Sequence, residues 1–504
     1  MSEAPFDDAE LAACLKVLEA ICADRGALSA VDLMTRRRLL EAAGRVSIPS
    51  RAEQRRLAKT FRRKEEVKER EADGAVLEAT GIRALRRAPV FMTPGAPREL
   101  GASSSTEPVS AAASDEAGPE LKAPRKCYVC KAEFTRVHFF YDQLCAPCAE
   151  LNYRKRSQTA DLRGRVALIT GARVKIGYQA AILLLRAGAE VIVTTRFPHD
   201  AARRFAAEAD FGAWGGRLEI HGLDLRLTPS VERFAQGLLA RLPRLDFIIH
   251  NACQTVRRPT AFYAHLMEHE TRPLAALPEA ERRLVEKHHE ARRERIGNAA
   301  GLDDAPLLSQ VPVLPEDRAL SGRVDLFPAG ELDADRQQID LRPQNSWRMT
   351  LGEVPTMELL EVHLVNAVAP FVLSGKLKPL LVRDRTFDKH IVNVSAVEGQ
   401  FYRDHKTDRH PHTNMAKAAL NMLTRTSAAD YAKDGVFMNS VDTGWVTDED
   451  PAALADRKRE EHGFHPPLDI VDGAARICDP IFAGINSGDH SFGLFFKDYR
   501  PTDW

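Results

Sequence analysis

From Leu162 onward, short apolar runs alternate with longer helical patterns. RVALIT, EVIVTT, RLEIHGLD, LDFIIHNA, HIVNVS and VFMNSVD are of strand length and nearly all apolar, with helical stretches between them. Apolar runs of this kind mark strands buried on both faces, and their alternation with helices points to βαβ units and a parallel sheet. The expected fold is α/β, a Rossmann-type doubly wound parallel sheet. The series breaks at about 256–348, a stretch dense in charge and proline with one expected helix, PEAERRLVEKHHEARRERIG. It resumes with helices through Asn366 and Lys417. The runs beginning at Pro466 and Ala474 read as the last helices, and GLFFKDYRPTDW at the end carries aromatic anchors that pack on the domain.

The first hundred residues follow a different pattern. Leu11, Cys14, Leu15, Leu18 and Ile21 recur at helical spacing, and RAEQRRLAKTFRRKEEVKERE is a charged stretch of interleaved sign. Such a stretch reads as a solvated helix laced with i,i+4 pairs, with a basic docking surface as the alternative. Residues 101–124 are rich in Ser, Ala, Pro and Glu, a linker composition that buries too little to offset ordering. The expected organisation is a helical region at 1–100, a linker at 101–124, a small cysteine module at 125–157, and the Rossmann domain at 161–504 with its insertion at 256–348.

A chain of 504 residues predicts two or three folded units, and 44% hydrophobic against 28% charged residues is a globular composition. The formal net charge is zero, so nothing in the bulk electrostatics calls for nucleic acid or an anionic membrane as partner. No uninterrupted apolar run approaches the roughly 20 residues of a membrane span. The acidic start, MSEAPFDDAELAACLK, lacks the layout of a signal peptide. The expected location is the cytoplasm, where thiols stay reduced.

Cys127 and Cys130 form one CxxC pair, and Cys145 and Cys148 another. Four thiolates at this spacing satisfy tetrahedral zinc and leave no position open, so the expected role is structural: a treble-clef or ribbon-like module folded by its metal. His138 reads as a packing histidine rather than a substitute ligand. Arg154, Lys155 and Arg156 read as a solvated helix end, and a protein partner is the interaction the module's surface could serve.

RVALITGARVKIGYQAAILL supplies a buried strand, a glycine turn and a helix N-terminus, which is what phosphate groups require. Strand two ends in Thr194-Thr195-Arg196, where an acidic residue would hold the ribose hydroxyls of NAD. An arginine there suits a 2′-phosphate, and Arg173 and Lys175 in the turn act in the same sense, so NADP(H) is expected rather than NAD(H). Strand three ends in Asp224-Leu225 and strand four in His250-Asn251-Ala252.

This order of motifs resembles the short-chain dehydrogenase/reductase family, with its TGxxxGxG, DL, NNAG, helix Asn, strand Ser, YxxxK and PGxxxT. The resemblance covers about Leu162 to Trp504, apart from the insertion. It implies that Gly171, Arg173, Lys175, Ile176 and Gly177 form the phosphate turn. It further implies that Asp224 and Leu225 flank the adenine, while Asn251 and Ala252 line the cofactor cleft. Asn366 would support a proton-relay water, and Ser395 would orient the substrate. Lys417 would bind the nicotinamide ribose, and Gly444 and Thr447 would hold the carboxamide and phosphates. A homo-oligomer through the Rossmann domain and a small-molecule substrate are implied as well.

The departures are specific. Lys175 replaces the middle glycine, as in NADPH-dependent pteridine reductases. Cys253 ends the NNAG motif, Thr443 replaces a proline, and Thr413 stands where the family has its acid/base tyrosine. A threonine hydroxyl is too weak an acid for that work. Three readings stay open: an NADP(H)-dependent oxidoreductase whose acid/base is relocated to Tyr402, His410 or His412; a variant chemistry like that of the related sugar-nucleotide dehydratases and epimerases; or a catalytically inactive NADP(H)-binding sensor or scaffold. The joint presence of Asn366, Ser395 and Lys417 favours the enzyme. The insertion reads as a lid or an oligomer-altering surface, against the alternative of a long loop.

Overall fold

A computed structural model of the chain describes residues 6–95, 118–296, 304–402 and 406–504. The expected linker lies outside them as far as residue 117. Residues Glu120–Ala123, assigned to that linker by composition, instead begin a strand.

The chain divides into two units, Met1–Gly74 and Ala75–Trp504. The first contains the helices Asp8–Ala23 and Leu33–Ser47 and most of Arg51–Glu78. Asp7 and Glu10 close a reciprocal capping box on the first helix, and Asp32 caps the second. Leu11 and Leu15 of the predicted apolar stripe are nevertheless exposed. The third helix is the charged one, and Arg62–Glu66 is among its i,i+4 pairs. The helical region was expected to reach residue 100, but Ala75 onward belongs to the second unit.

The second unit opens with the short helix Gly81–Arg87 and a ribbon of β1 (Glu120–Lys126) and β2 (Glu133–Arg136). The strands that follow are β3 (Val166–Thr170), β4 (Glu190–Thr195), β5 (Leu218–Gly222), β6 (Phe247–His250), β7 (Lys389–Ser395) and β8 (Val436–Asp442), then β9 (Phe495–Lys497) and β10 (Arg500–Thr502). Together these eight form one sheet in the order β10-β9-β8-β7-β6-β3-β4-β5, parallel except for the β9–β10 hairpin. That hairpin turns on Asp498 and Tyr499, both at positive φ, as a two-residue loop of matching twist requires.

Each central strand is buried on both faces, so its side chains alternate between two cores. Ala167 and Ile169 of β3 join Ile182, Leu185, Ile477 and Ile481 on one side. Val166 and Leu168 join Leu238, Leu373, Leu377 and Met438 on the other. The continuous helical stretch Thr356–Leu381 has the length and apolar composition to cross a membrane, although no uninterrupted apolar run in it is that long. Here its Leu373, Leu377 and Leu380 are buried in the second core. The two expected final helices are one, Ile470–Ser487.

The insertion folds against the domain. Phe262, Tyr263, Leu266, Leu320 and Phe327 pack around Phe197, which follows β4. Buried Arg257 joins Asp317 at 2.7 Å and Glu361 at 3.1 Å. Helix Glu279–Ile296 covers β5 through Leu284 and Val285.

Candidate functional site

A cleft of about 1760 Å³ opens where β3 to β8 end, at the reversal of strand order between β3 and β6. Gly171 leaves β3 at φ +70, and a Cβ there would lie 2.7 Å from the Ala252 Cα. A Cβ on Gly177 would lie 2.2 Å from Asn251 Nδ2 and 2.5 Å from the Gly171 carbonyl. The Asn251 amide donates to the Thr170 and Gly171 carbonyls, and Ala252 N–H donates to Thr170 Oγ1 at 3.1 Å. These contacts weld the turn to the end of β6. The helix Lys175–Arg186 follows, and Val174 at its cap provides no side-chain acceptor. Its first N–H groups are thus left for a ligand, and the tight glycines leave room for phosphate, so the turn fits the dinucleotide.

Lys175 occupies its glycine position at φ +56, the left-handed region. Its ammonium lies 3.8 Å from Glu449. Burial opposes the charge, but Glu449, Asp335 and Asp333 outweigh it and raise Lys175 above the ordinary lysine value. Ile176 and Gly177 line the cleft beside it. Arg173 also lines it, but its guanidinium is buried and paired with Asp200 at 2.7 Å. Asp200 carries Arg203 and Arg204 as well, so Arg173 acts first as a structural cation, not as the free anion site expected from sequence. Arg196 stacks 4.5 Å over the Tyr263 ring and donates to its hydroxyl. Asp224 is buried and held by Arg226, which keeps its carboxyl below the usual range against the cost of burial. Leu225 is buried next to it in the cleft wall.

At the other end lie Ser395, Lys417 and Thr413. Ser395, the last residue of β7, donates to Asn421 Oδ1 at 2.5 Å. Lys417 Nζ donates to the Val394 carbonyl at 2.7 Å, which fixes the ammonium at the cleft. The Thr413 hydroxyl, in the first turn of its helix, donates to the His410 carbonyl at 2.8 Å. Asn366 lies one step behind the cleft in a π-helical turn, Leu364–Val368. Both ends of its amide bond the backbone of Gln254, at 2.8 and 3.2 Å. Its side chain therefore anchors the segment after β6 rather than facing a substrate.

The three relocated acid/base candidates separate cleanly. Tyr402 is 96% exposed and lies outside the cleft lining. His412 is buried away from the cleft, 3.7 Å from Glu358. His410 lines the cleft, at φ +41, with its ring stacked 3.8 Å from Trp347. Its buried Nδ1 lies beside the Asn414 side chain, whose hydrogen bonding acts to raise its pKa. Burial pushes its imidazole below the ordinary value, more than nearby Glu398 raises it.

Sequence reasoning missed several groups. Asp442 ends β8 as a buried carboxyl that accepts the Val397 and Gly444 N–H groups at 2.7 and 2.6 Å. Burial raises its pKa. An acidic residue closing an apolar strand just before a glycine was the available signal. Gly444 follows at φ +75, and Thr447 Oγ1 donates to Glu449, Lys175's partner. Tyr128, Trp347 and Tyr263 carried no signal at all.

The four cysteine sulfurs lie within 4.8 Å of one another, with Cys130 and Cys145 at 3.5 Å. Tetrahedral zinc with Zn–S bonds of about 2.3 Å needs sulfurs roughly 3.8 Å apart, so the set fits that ion. Lys131, at φ +63, forms the knuckle after the first pair, and Cys145 stands at the cap of helix Ala146–Arg156. His138 uses Nδ1 to accept the Phe140 N–H, as a packing histidine does. Of the basic run only Arg154 is exposed: Arg156 pairs with Asp469 at 2.7 Å and Asp472 at 2.9 Å, and Lys155 pairs with Asp479.

The family model for short chain dehydrogenases matches residues 165–270, and that for enoyl-(acyl carrier protein) reductases matches 343–466. The stretch between the two matches falls within the insertion. The chain is 30% identical over 370 residues to the uncharacterized protein R665 of Acanthamoeba polyphaga mimivirus, covering 71% of each chain. It is 41% identical over 106 residues to dehydrogenase/reductase SDR family member 13 of Bos taurus, which is 20% of this chain and 27% of that protein. Among solved structures, a short chain dehydrogenase from Shigella flexneri aligns with a TM-score of 0.40 at 16% identity, covering 68% of this chain and 94% of that one.

Proposed function

The Rossmann domain of this chain belongs to the short-chain dehydrogenase/reductase family, and on that footing we propose an NADP(H)-dependent oxidoreductase that interconverts a carbonyl and an alcohol, with His410 as its acid/base. The observation that carries this reading is the sharing of one cleft by the glycine turn, Ser395, Lys417 and His410. The nicotinamide, when bound, gives or takes the hydride. The protein's residues do the rest. The turn at Gly171–Gly177 and Lys175 hold phosphates, and Lys417 holds a ribose. Ser395, fixed by Asn421, orients the reacting oxygen. His410 gives its proton to that oxygen in reduction and removes it in oxidation, a role for which the Thr413 hydroxyl, bonded to the His410 carbonyl, is too weak an acid.

Arg196, lifted on the Tyr263 ring at the end of β4, supports NADP(H) over NAD(H). One structural zinc per chain belongs to the same reading. So does a homo-oligomer, supported by the exposed apolar side chains Leu360, Phe371, Met415 and Met422 on the helices Thr356–Leu381 and Pro411–Ala432.

The test is a fluorescence titration with NADPH and NADH on the wild type, Lys417→Ala and Arg196→Asp. Tighter binding of NADPH, weakened by the first variant and turned toward NADH by the second, is the expected result. No binding of either nucleotide would overturn the reading. Nucleotide binding with no hydride transfer to any of a panel of aldehydes, ketones and quinones would favour the sensor or scaffold instead.

A further inference from the structure

The cysteine module does not stand apart as a partner-binding arm. Its attachments converge on the segment between β8 and the helix Ile470–Ser487. The Tyr128 hydroxyl, from within the first CxxC pair, accepts the Trp445 N–H at 2.9 Å. Tyr128 also stands in the cleft wall, beside Gly444. Gln143 Nε2 donates to the His465 carbonyl at 2.7 Å, and Arg86 of the helix Gly81–Arg87, outside the module, donates to those of Pro466 and Leu468. Tyr141 donates to Asp472 at 2.5 Å, next to the Arg156 pairs with Asp469 and Asp472. Val446, Leu468 and Ile470 share one buried apolar cluster with Cys127, Cys145 and Tyr141. Residues 443–447 have no sheet or helix of their own to fix them.

We infer that the metal-bound module is a positioning element of the cofactor cleft, and that Tyr128, through the Trp445 N–H, holds the Thr443–Thr447 loop in its dinucleotide-binding conformation. The inference rests on the cofactor reading above. Without the module, the loop spreads over several conformations, and apparent affinity falls by the fraction that remains competent. The effect is local to one end of the ligand. From β8 to β4 there are four strand steps, and at about 4.8 Å each they place the loop roughly 19 Å from the Arg196 end.

The experiment uses the full-length protein and compares wild type with Tyr128→Phe, which removes one hydroxyl and no metal ligand. Bound zinc is measured by elemental analysis. Dissociation constants are measured for NADPH and for adenosine 2′,5′-bisphosphate, which carries only the adenine end. Tyr128→Phe should keep its zinc and its bisphosphate affinity and lose about 2- to 10-fold in NADPH affinity, the scale of one net hydrogen bond. Zinc removal by chelation should lower NADPH affinity at least as far. Unchanged NADPH affinity in Tyr128→Phe, or an equal loss for both ligands, overturns the positioning role. Failure of the wild type to bind NADPH overturns the cofactor reading itself, and this inference with it.

Discussion

Lys175 offers a direct test of how the phosphate turn is built. It holds a side chain at φ +56, where a Cβ crowds the following carbonyl at a cost of about 1–2 kcal/mol. Replacement by glycine removes the Cβ, and replacement by alanine keeps it. Both remove the ammonium and its 3.8 Å approach to Glu449 equally. The difference between the two variants therefore isolates the backbone. Glycine gives back about 0.4–1 kcal/mol through its greater freedom when unfolded, which leaves it ahead by roughly 0.5–1 kcal/mol. That reverses the usual order, in which alanine beats glycine within a helix by about 0.5–1 kcal/mol. Thermal unfolding without nucleotide should place Lys175→Gly above Lys175→Ala by roughly 0.5–1 °C. NADPH titration should show both weakened alike, by about tenfold, since each loses the same charge. An alanine variant as stable as the glycine variant would refute the strained-turn account. Unequal nucleotide affinities would show that the backbone, not the charge, is what the ligand feels.

Gly177→Ala drives a Cβ to within 2.2 Å of Asn251 Nδ2, and the turn cannot yield without parting from β6. Loss of about 1–3 kcal/mol of stability and of detectable NADPH fluorescence enhancement is expected, and an unchanged titration would remove the turn from the cofactor site. The depressed pKa of His410 sets a pH dependence. As the base in alcohol oxidation it must be neutral, so the rate falls only as pH drops through a value below 6.5 and is flat from about pH 7 to 9. A profile still climbing at pH 9 would assign the base to another group. Because the folded value is lowered, the same ring stabilises the fold above the unfolded value of 6.5 and withdraws that stability as pH falls. Phe371, 64% exposed on an apolar helix, should anchor the oligomer, so Phe371→Asp should lower the mass seen by light scattering. A wild-type monomer would dismiss that surface.

The sheet was legible because each of its parallel strands is apolar on both faces, which writes a continuous run into the sequence regardless of what packs above it. The phosphate turn was legible for a related reason: Gly171 and Gly177 are demanded by contacts with Ala252 and Asn251 that leave no room for a Cβ. The insertion was not legible, since its order comes from pairs such as Arg257 with Asp317 and Glu361, buried across tens of residues. Charge read along a chain looks like solvent, and only the fold shows which ions have been brought inside. Arg156 misled in the same way, as a solvated helix end that proves to be a buried triad with Asp469 and Asp472. The acid/base question shows the limit most clearly. Tyr402, His410 and His412 sit within eleven residues of one another, and the sequence ranks none above the others. What separates them is direction: Tyr402 faces solvent, His412 faces Glu358, and His410 is turned by its left-handed backbone and the Trp347 ring into the cleft. The Thr413 hydroxyl belongs to this arrangement, since it donates to the His410 carbonyl.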